Sequence, residues 1–203
     1  MSVRRLTPRP RTGRRPGPSR TRADILAAAR ECFAERGYAA TSVRAIAAKA
    51  GVDAALVHRF FGSKDDLLAA TLALAMQPAE RMPELVAGGP DGLDERIVRY
   101  FLSVWERSPS REVMIAMVRS AATHEHAAQL LREFIGREVL ARIAGALEGE
   151  DALLRATLVG SQLLGLAMAR YVVKIEPLAS AAPDVVAKAV APALRRYLIA
   201  DLG

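Results

Sequence analysis

The sequence predicts an all-α protein, and three observations support this fold class. Apolar residues recur three and four positions apart along most of the chain, which is the spacing of one helix face. No segment alternates apolar and polar residues with the period of two that a half-buried strand shows. Clusters of glycine and proline, such as GGPDG at 88–92, separate the periodic segments and indicate loops.

The composition indicates a globular chain with an uneven distribution of charge. Of the 203 residues, 51% are apolar, and the formal net charge is +7. Residues 1–20 hold seven arginines and no acidic residue, whereas the rest of the chain holds 22 basic and 22 acidic residues. Because 1–20 is rich in proline and has little to bury, we expect it to be a disordered basic arm.

The cysteine count and the hydropathy pattern restrict the cellular setting. Cys32 is the single cysteine, which excludes an intramolecular disulfide and fits a reducing compartment. The basic N-terminus lacks the apolar segment of a secretory signal. The most apolar stretch, 156–169, is predicted to be a buried helix that is too short to span a bilayer. We therefore expect a cytoplasmic protein with no membrane contact.

The first and fourth predicted helices frame a compact N-terminal unit. The first covers 22–36, because its apolar side chains share one face, and Gly37 ends it. The fourth begins at Lys64 and runs toward Pro78. We expect a kink or a break at Pro78 and Pro83, because an internal proline removes a helix hydrogen bond.

Two short helices between them are the most informative part of the chain. Ser42 can cap one over 43–50, and Asp53 can cap another over 54–61. Gly51 lies at the tight turn between them, so the pair forms a helix-turn-helix. In that motif the second helix enters the major groove of DNA. An αα-hairpin packed on another element has the same spacing, and the pattern alone leaves both interpretations open.

The surrounding residues resemble a known family. Residues 25–68 resemble the DNA-binding domain of the TetR/AcrR family of bacterial transcription regulators, with Phe33, Gly37, Tyr38 and the FGSK segment at 61–64 as landmarks. The resemblance implies an N-terminal three-helix helix-turn-helix domain followed by a larger helical domain for ligand binding and dimerisation, with about nine helices in all. We assign 21–66 to the first domain and 67–203 to the second.

The helix-turn-helix and the resemblance together suggest which residues contact DNA. Arg59 can pair with guanine or hold a phosphate, whereas Ala54 and Ala55 offer only apolar contact, for example to a thymine methyl group. Lys64 lies at a helix N-terminus, where phosphate binds. Arginines of the arm can reach DNA, although a solvated extension is an equally open interpretation. The candidate contacts are Ser42, Arg44, Ala54, Ala55, His58, Arg59, Phe60, Lys64, Arg14 and Arg15.

The rest of the chain is predicted to be helical. Five further helices are expected, over 93–107, 111–122, 124–147, 155–174 and 184–200. The fourth of these is apolar nearly all round and carries small residues at every fourth position. The resemblance implies that the last two helices pair with a second copy, with intrachain packing as the alternative. The candidate interface residues are Ser161, Gly165, Met168, Ala169, Val186, Val190 and Tyr197.

Aromatic residues and methionines in the second domain suggest a ligand site. Without the family, ordinary core packing is the favoured explanation, but the second domain of the family normally houses an effector site. We expect a small apolar effector, because these residues offer few charges. The candidate pocket residues are Trp105, Met114, Met117 and Tyr171.

Neither metal binding nor catalysis is expected. His124 and His126 point to different sides of a helix, and too few further ligands lie nearby. We find no nucleophile elbow, no phosphate-binding glycine loop and no Ser/His/Asp set, so we expect no enzyme and no cofactor.

The sequence thus predicts a dimeric, nucleoid-associated repressor that a small effector releases from a pseudo-palindromic DNA operator. The alternatives are a constitutive regulator or activator of the same fold, and a helical protein-interaction module. The last would show no salt-dependent DNA binding.

Overall fold

The computed structural model of the protein describes residues 18–89 and 91–199, and the all-α fold class is confirmed. Within these residues the chain forms ten helices and no strand. The predicted basic arm, with Arg14 and Arg15, lies outside the described residues except for its last three positions.

The N-terminal helices follow the predicted order. They are α1 Pro18–Ala40, α2 Val43–Ala50, α3 Ala54–Phe61 and α4 Lys64–Met76. The predicted caps are present, because Ser42 Oγ accepts the Ala45 N–H at 3.1 Å and Asp53 Oδ1 accepts the Ala55 N–H at 2.7 Å. Gly51, with φ 67°, ends α2 in the left-handed conformation.

A sharp break inside α1 determines how the chain enters the helix-turn-helix. Gly37 has φ 71° and ψ 178°, a combination that is essentially restricted to glycine. Thr41, which is buried, holds the break, since its hydroxyl contacts the Gly37 and Cys32 carbonyl oxygens at 2.7 and 3.0 Å. A Cβ at Gly37 would lie 3.0 Å from Ser120 Oγ, so α1 and α7 approach closely here.

Six helices make up the rest of the molecule. They are α5 Pro78–Ala87, α6 Leu93–Glu106, α7 Ser108–Thr123, α8 at 125–144, α9 Ala152–Val173 and α10 Pro183–Ile199. Two of them contain π-helical turns, in α8 at Gly136–Leu140 and in α9 at Met168–Val173.

The sequence missed α5. The expected break occurs one residue before Pro78, at Gln77, whose φ of 49° ends α4. The chain then starts a new helix, because proline in the first turn lacks an N–H that would have no partner there. The Ser-Pro-Ser segment at 108–110 likewise opens α7 rather than separating two helices.

A single hydrophobic core connects the helix-turn-helix to the rest of the protein. Buried side chains of α1, α2 and α3, such as Phe33, Ile46 and Val57, belong to the same cluster as those of α6 to α10. Helix α1 packs along α7, and α10 packs along α6. Helices α2 and α3 therefore rest on α1 and α4, which in turn pack on α7.

Helix α9 differs from its prediction. It has 22 residues, long and apolar enough by length and composition to cross a membrane, so the expectation that 156–169 is too short is wrong. Only 33% of its most apolar window is buried. Two buried arginines bind it to its neighbours. Arg155 donates to the carbonyls of Tyr197 and Leu198 in α10 at 2.8 and 2.5 Å, and Arg170 pairs with Glu106 at 3.0 Å.

We expect Gly37→Ala to destabilise the protein by about 1–3 kcal/mol, because alanine is strained at this φ and ψ. Gly136→Ala is the matched control. Gly136 has helical backbone angles, and no atom of the described part of the chain lies within 4 Å of an added Cβ, so alanine should be neutral or stabilise by up to about 1 kcal/mol. Urea unfolding followed by circular dichroism measures both, and equal midpoints would contradict the role of Gly37.

Candidate nucleic-acid interface and cavity

The outer face of α3 presents three of the candidate DNA contacts together. Ala55, His58 and Arg59 are exposed and fall on one helix face, at positions i, i+3 and i+4. Ala54 and Phe60 are half-buried and pack against the core, so their contact with a groove would be partial. The exposed face offers one small apolar group, one imidazole and one guanidinium to a base edge.

His58 is oriented by its own helix. Its Nδ1 lies 2.7 Å from the Gly62 carbonyl oxygen. Because a carbonyl only accepts, Nδ1 must carry the proton in this contact, and Nε2 of the neutral ring is an acceptor. An imidazole held in this way can accept from the exocyclic amine of cytosine or adenine.

The basic side chains of the motif differ in their availability. Arg44 and Arg59 are exposed, and neither takes part in an ion pair within the described residues. Lys49 on α2 is paired instead, with Glu31 at 2.9 Å and Glu35 at 3.0 Å, and both hydrogen bonds raise its pKa. Lys49 therefore supports the packing of α2 on α1 rather than offering a free cation.

Lys64 is positioned by an aromatic ring. Its Nζ lies 4.1 Å from the centroid of the Tyr38 ring, and burial lowers the pKa of Lys64. The side chain is half-buried at the first turn of α4, where the backbone N–H groups and the ammonium could share a phosphate. Ser42, by contrast, is exposed and uses its hydroxyl as the α2 cap.

The sequence missed one basic residue near this surface. Arg22 on α1 is exposed, and its guanidinium carbon lies 5.1 Å from the Phe61 ring centroid at the end of α3. The sequence feature that could have revealed it is the pair of arginines at positions 20 and 22, which the prediction assigned to the arm and to the start of the first helix. Arg22 is a further candidate for a phosphate contact.

Tyr38 joins the helix-turn-helix to the second domain. Its N–H donates to Ser120 Oγ of α7 at 3.2 Å, and its hydroxyl donates to Asp65 of α4. Burial and this hydrogen bond raise the pKa of Tyr38. His126 of α8 completes the group, because its Nε2 lies 3.1 Å from Asp65 Oδ2. His126, which the sequence excluded only as a metal ligand, therefore contacts the first turn of α4.

A cavity of about 520 Å³ lies among α4, α6, α7, α8 and α9. Its walls are almost entirely apolar, and they include the predicted residues Trp105 and Met114. Met117 and Tyr171 do not line it, so these two predictions are wrong. Met117 is buried in the core, while Tyr171 stacks on Trp105 at 5.2 Å and donates to Glu106 at 2.8 Å.

The exposed side of α9 carries much of the predicted interface. Ser161 and Gly165 are exposed, and Met168 and Ala169 are half-buried, as are Val190 and Tyr197 of α10. Val186 is only 4% exposed, so its prediction is wrong: it faces the core, and the neighbouring Val185 is 62% exposed instead. Large apolar side chains continue this surface, namely Leu153, Leu154, Leu164, Val173 and Ile199.

Comparison with known proteins identifies the two parts of the chain. Residues 25–71 match the family described as "Bacterial regulatory proteins, tetR family". Residues 91–198, more than half of the chain, match "Tetracyclin repressor-like, C-terminal domain". The crystal structure of a TetR-family regulator from Streptomyces coelicolor A3 is 47% identical with a TM-score of 0.73, covering 92% of this chain and 99% of that one. The chain belongs to the TetR family.

Two curated relatives match this TetR-family chain over shorter segments. An HTH-type transcriptional repressor from Mycobacterium tuberculosis is 51% identical over 70 residues, which are 33% of this chain and 37% of the relative. The HTH-type transcriptional repressor AcnR from Corynebacterium glutamicum is 35% identical over 106 residues, which are 52% of this chain and 53% of AcnR. The chain thus matches about a third to a half of the length of these relatives.

Membership of the TetR family fixes the class of function. The protein is a DNA-binding transcriptional regulator whose helix-turn-helix is α2 and α3. The family is one of regulators rather than enzymes. Within the described residues no group of three or more His, Cys, Asp or Glu side chains could hold a metal ion.

Proposed function

We propose that the protein is a dimeric repressor that a small apolar effector releases from a pseudo-palindromic operator. The observation that carries this proposal is the apolar cavity, because two helices that line it also contact the DNA-binding part. We assign residues 21–66 to DNA reading and 67–203 to effector binding and dimerisation. Action on the chromosome, in the cytoplasm and at the nucleoid, belongs to the same proposal.

The DNA-reading roles follow from exposure and chemistry. Arg59 and His58 would read base edges in the major groove, with Ala55 against a thymine methyl group. Arg44, Ser42 and Lys64 would hold phosphates and set the register of the helix. We assign smaller contributions to DNA binding to Ala54 and Phe60, which are half-buried, and to the arm residues Arg14 and Arg15.

We expect Arg59→Ala to weaken operator binding by about 1–3 kcal/mol and to relax the base preference at one operator position. Lys49→Ala is the matched control, because Lys49 is a nearby cation already paired with Glu31 and Glu35, and its loss should change affinity less. Selection from random duplexes gives the operator, and fluorescence anisotropy gives the affinities. An unchanged base preference in Arg59→Ala would show that Arg59 contacts the phosphate backbone of the DNA rather than a base.

Two helices would carry the signal from the cavity. In α7, the cavity residues Val118 and Ala121 flank Ser120, which accepts the Tyr38 N–H. In α8, the cavity residue Ala128 lies two positions after His126, which contacts Asp65. A ligand that shifts either helix therefore acts on the group that supports α1 and the start of α4.

Helix α4 offers a third connection. It runs without interruption from Lys64, beside the recognition helix, to Met76, which lines the cavity. Pro78 and Pro83, where the sequence predicted a kink or a break, lie beyond its end in α5. The left-handed Gln77 is therefore the point where α4 is free to move relative to α5.

Effector and operator must weaken each other's binding by the same factor, which for such couplings is commonly about 5- to 150-fold. An apolar ligand is first identified by its effect on the fluorescence of Trp105. Its affinity is then measured with and without saturating operator, and we expect the operator to weaken it by this factor. Equal affinities would exclude release by an effector and would favour a constitutive regulator.

We expect His126→Ala to reduce that coupling factor, because it removes the contact between α8 and Asp65. His124→Ala is the control, since the one hydrogen bond of the His124 side chain within the described residues joins it to its neighbour Thr123, at 2.8 Å. A coupling factor unchanged in His126→Ala but altered in Ser120→Ala would place the signal in α7 alone.

The exposed apolar side of α9 and α10 is the proposed dimer interface. Exposed contiguous apolar surface of this kind marks an interaction site, and two-fold pairing is the commonest form of oligomer. A lipid bilayer would also cover it. The other side of α9, however, packs on the core with Arg155 and Arg170 buried, which favours a second copy of the chain.

We expect Gly165→Glu to weaken dimerisation by about 1–3 kcal/mol, because it places an unpaired carboxylate in an apolar interface. No atom of the residues that the structure describes lies within 4 Å of a Cβ at Gly165, so the fold of the single chain should be kept. Ala141→Glu, an exposed site on α8, is the control. Sedimentation equilibrium measures the dissociation constant, and a Gly165→Glu variant that pairs as tightly as the control would exclude this interface.

A further inference from the structure

The polar content of the cavity wall is very small and lies at one place. Among the described residues that line the cavity, Arg132 is the only one that carries a charge. The hydroxyl groups of Thr157 and Ser161 donate to carbonyls of their own helix, at 2.8 and 2.7 Å, and the Tyr100 hydroxyl donates to the Met76 carbonyl. The deep wall therefore suits hydrocarbon, and polar recognition is confined to one guanidinium.

Arg132 lies at the mouth of the cavity. Its side chain is 63% exposed, and Thr157 of α9, which also lines the cavity, is exposed too, whereas the lining residues Ser161 and Leu164 belong to the proposed dimer interface. These exposed groups define an opening between α8 and α9. A ligand whose body fills the cavity must therefore place its last atoms beside this guanidinium.

The present partner of Arg132 is easily replaced. Arg132 Nη2 lies 2.6 Å from Glu125 Oε1, and the Glu125 side chain is 83% exposed. An ion pair this exposed contributes little, because water solvates both groups when they separate. A carboxylate on a ligand already anchored in the cavity would compete with Glu125 and could form two parallel hydrogen bonds with the guanidinium.

We propose that the effector is an amphipathic monocarboxylate, with an acyl chain in the cavity and its carboxylate on Arg132. This inference rests on the proposed function, which requires only an apolar ligand, and it adds the chemical class of the polar end. The single cation matches one negative charge rather than a polyphosphate. The volume of about 520 Å³ suits a medium-length chain.

The experiment compares decanoate, decanol and decylamine, which share a chain and differ only in the end group. Trp105, the single tryptophan, lines the cavity and reports binding by its fluorescence. We expect decanoate to bind about three- to tenfold more tightly than decanol, since a charged hydrogen bond is gained, and decylamine to bind more weakly than both. All titrations are made below the concentration at which these amphiphiles form micelles.

Three variants locate the effect. Arg132→Gln should abolish the preference for decanoate and leave decanol unchanged, whereas Arg137→Gln, an exposed arginine of α8 outside the cavity lining, should keep the preference. Ala128→Phe fills the cavity and should weaken decanoate and decanol alike, with circular dichroism confirming the fold.

The outcomes separate the two proposals. Equal affinities for decanoate and decanol in the natural protein would overturn the proposed recognition of a carboxylate. Loss of decanoate and decanol binding in Ala128→Phe would still support an apolar effector site in the cavity. A preference that survives in Arg132→Gln would overturn the role of Arg132. No response of Trp105 to any of the three compounds would overturn the carboxylate proposal and the apolar effector site together.

Discussion

The position of the DNA-reading helices depends on Tyr38. This buried ring stacks on Phe33, supports the ammonium of Lys64 and lies against the imidazole of His126. Its N–H and its hydroxyl are each hydrogen-bonded to a different helix, α7 and α4. One residue thus connects four helices, two from each part of the chain. Its position follows from the Gly37 backbone, which turns the chain so that the side chain enters the core.

This arrangement explains how a small helix-turn-helix stays folded. Helices α2 and α3 have eight residues each, too few to be stable alone in water. Their buried faces join a core that continues into the larger helical part. Under the proposed mechanism, the same dependence would pass movements of α7 and α8 to the recognition helix. The stability of α2 and α3 and the proposed response to an effector would therefore have one physical origin, which is that these two helices lack an independent core.

The sequence predicted best what short-range chemistry decides. Ser42, Asp53 and Gly51 determine where α2 and α3 begin and end, and each acts within a few residues of its own position. Side-chain direction over a long helix was predicted less well. The π-helical turn at Met168–Val173 shifts the phase of α9, so Tyr171 lies behind Trp105 instead of in the cavity. Likewise, the periodicity of α10 did not distinguish Val185 from Val186. The cavity itself depends on how five helices pack, which no local pattern encodes.

The apolar surface of α9 and α10 also bears on how the gene would behave in a cell. Where only paired chains recognise a two-fold operator, and free chains predominate, the concentration of active regulator grows with the square of the amount synthesised. Doubling the concentration of chains would then quadruple the concentration of the active form, and halving it would remove three-quarters. Repression would then rise more steeply than the amount of protein made, as a property of the helix surface and without any additional control element.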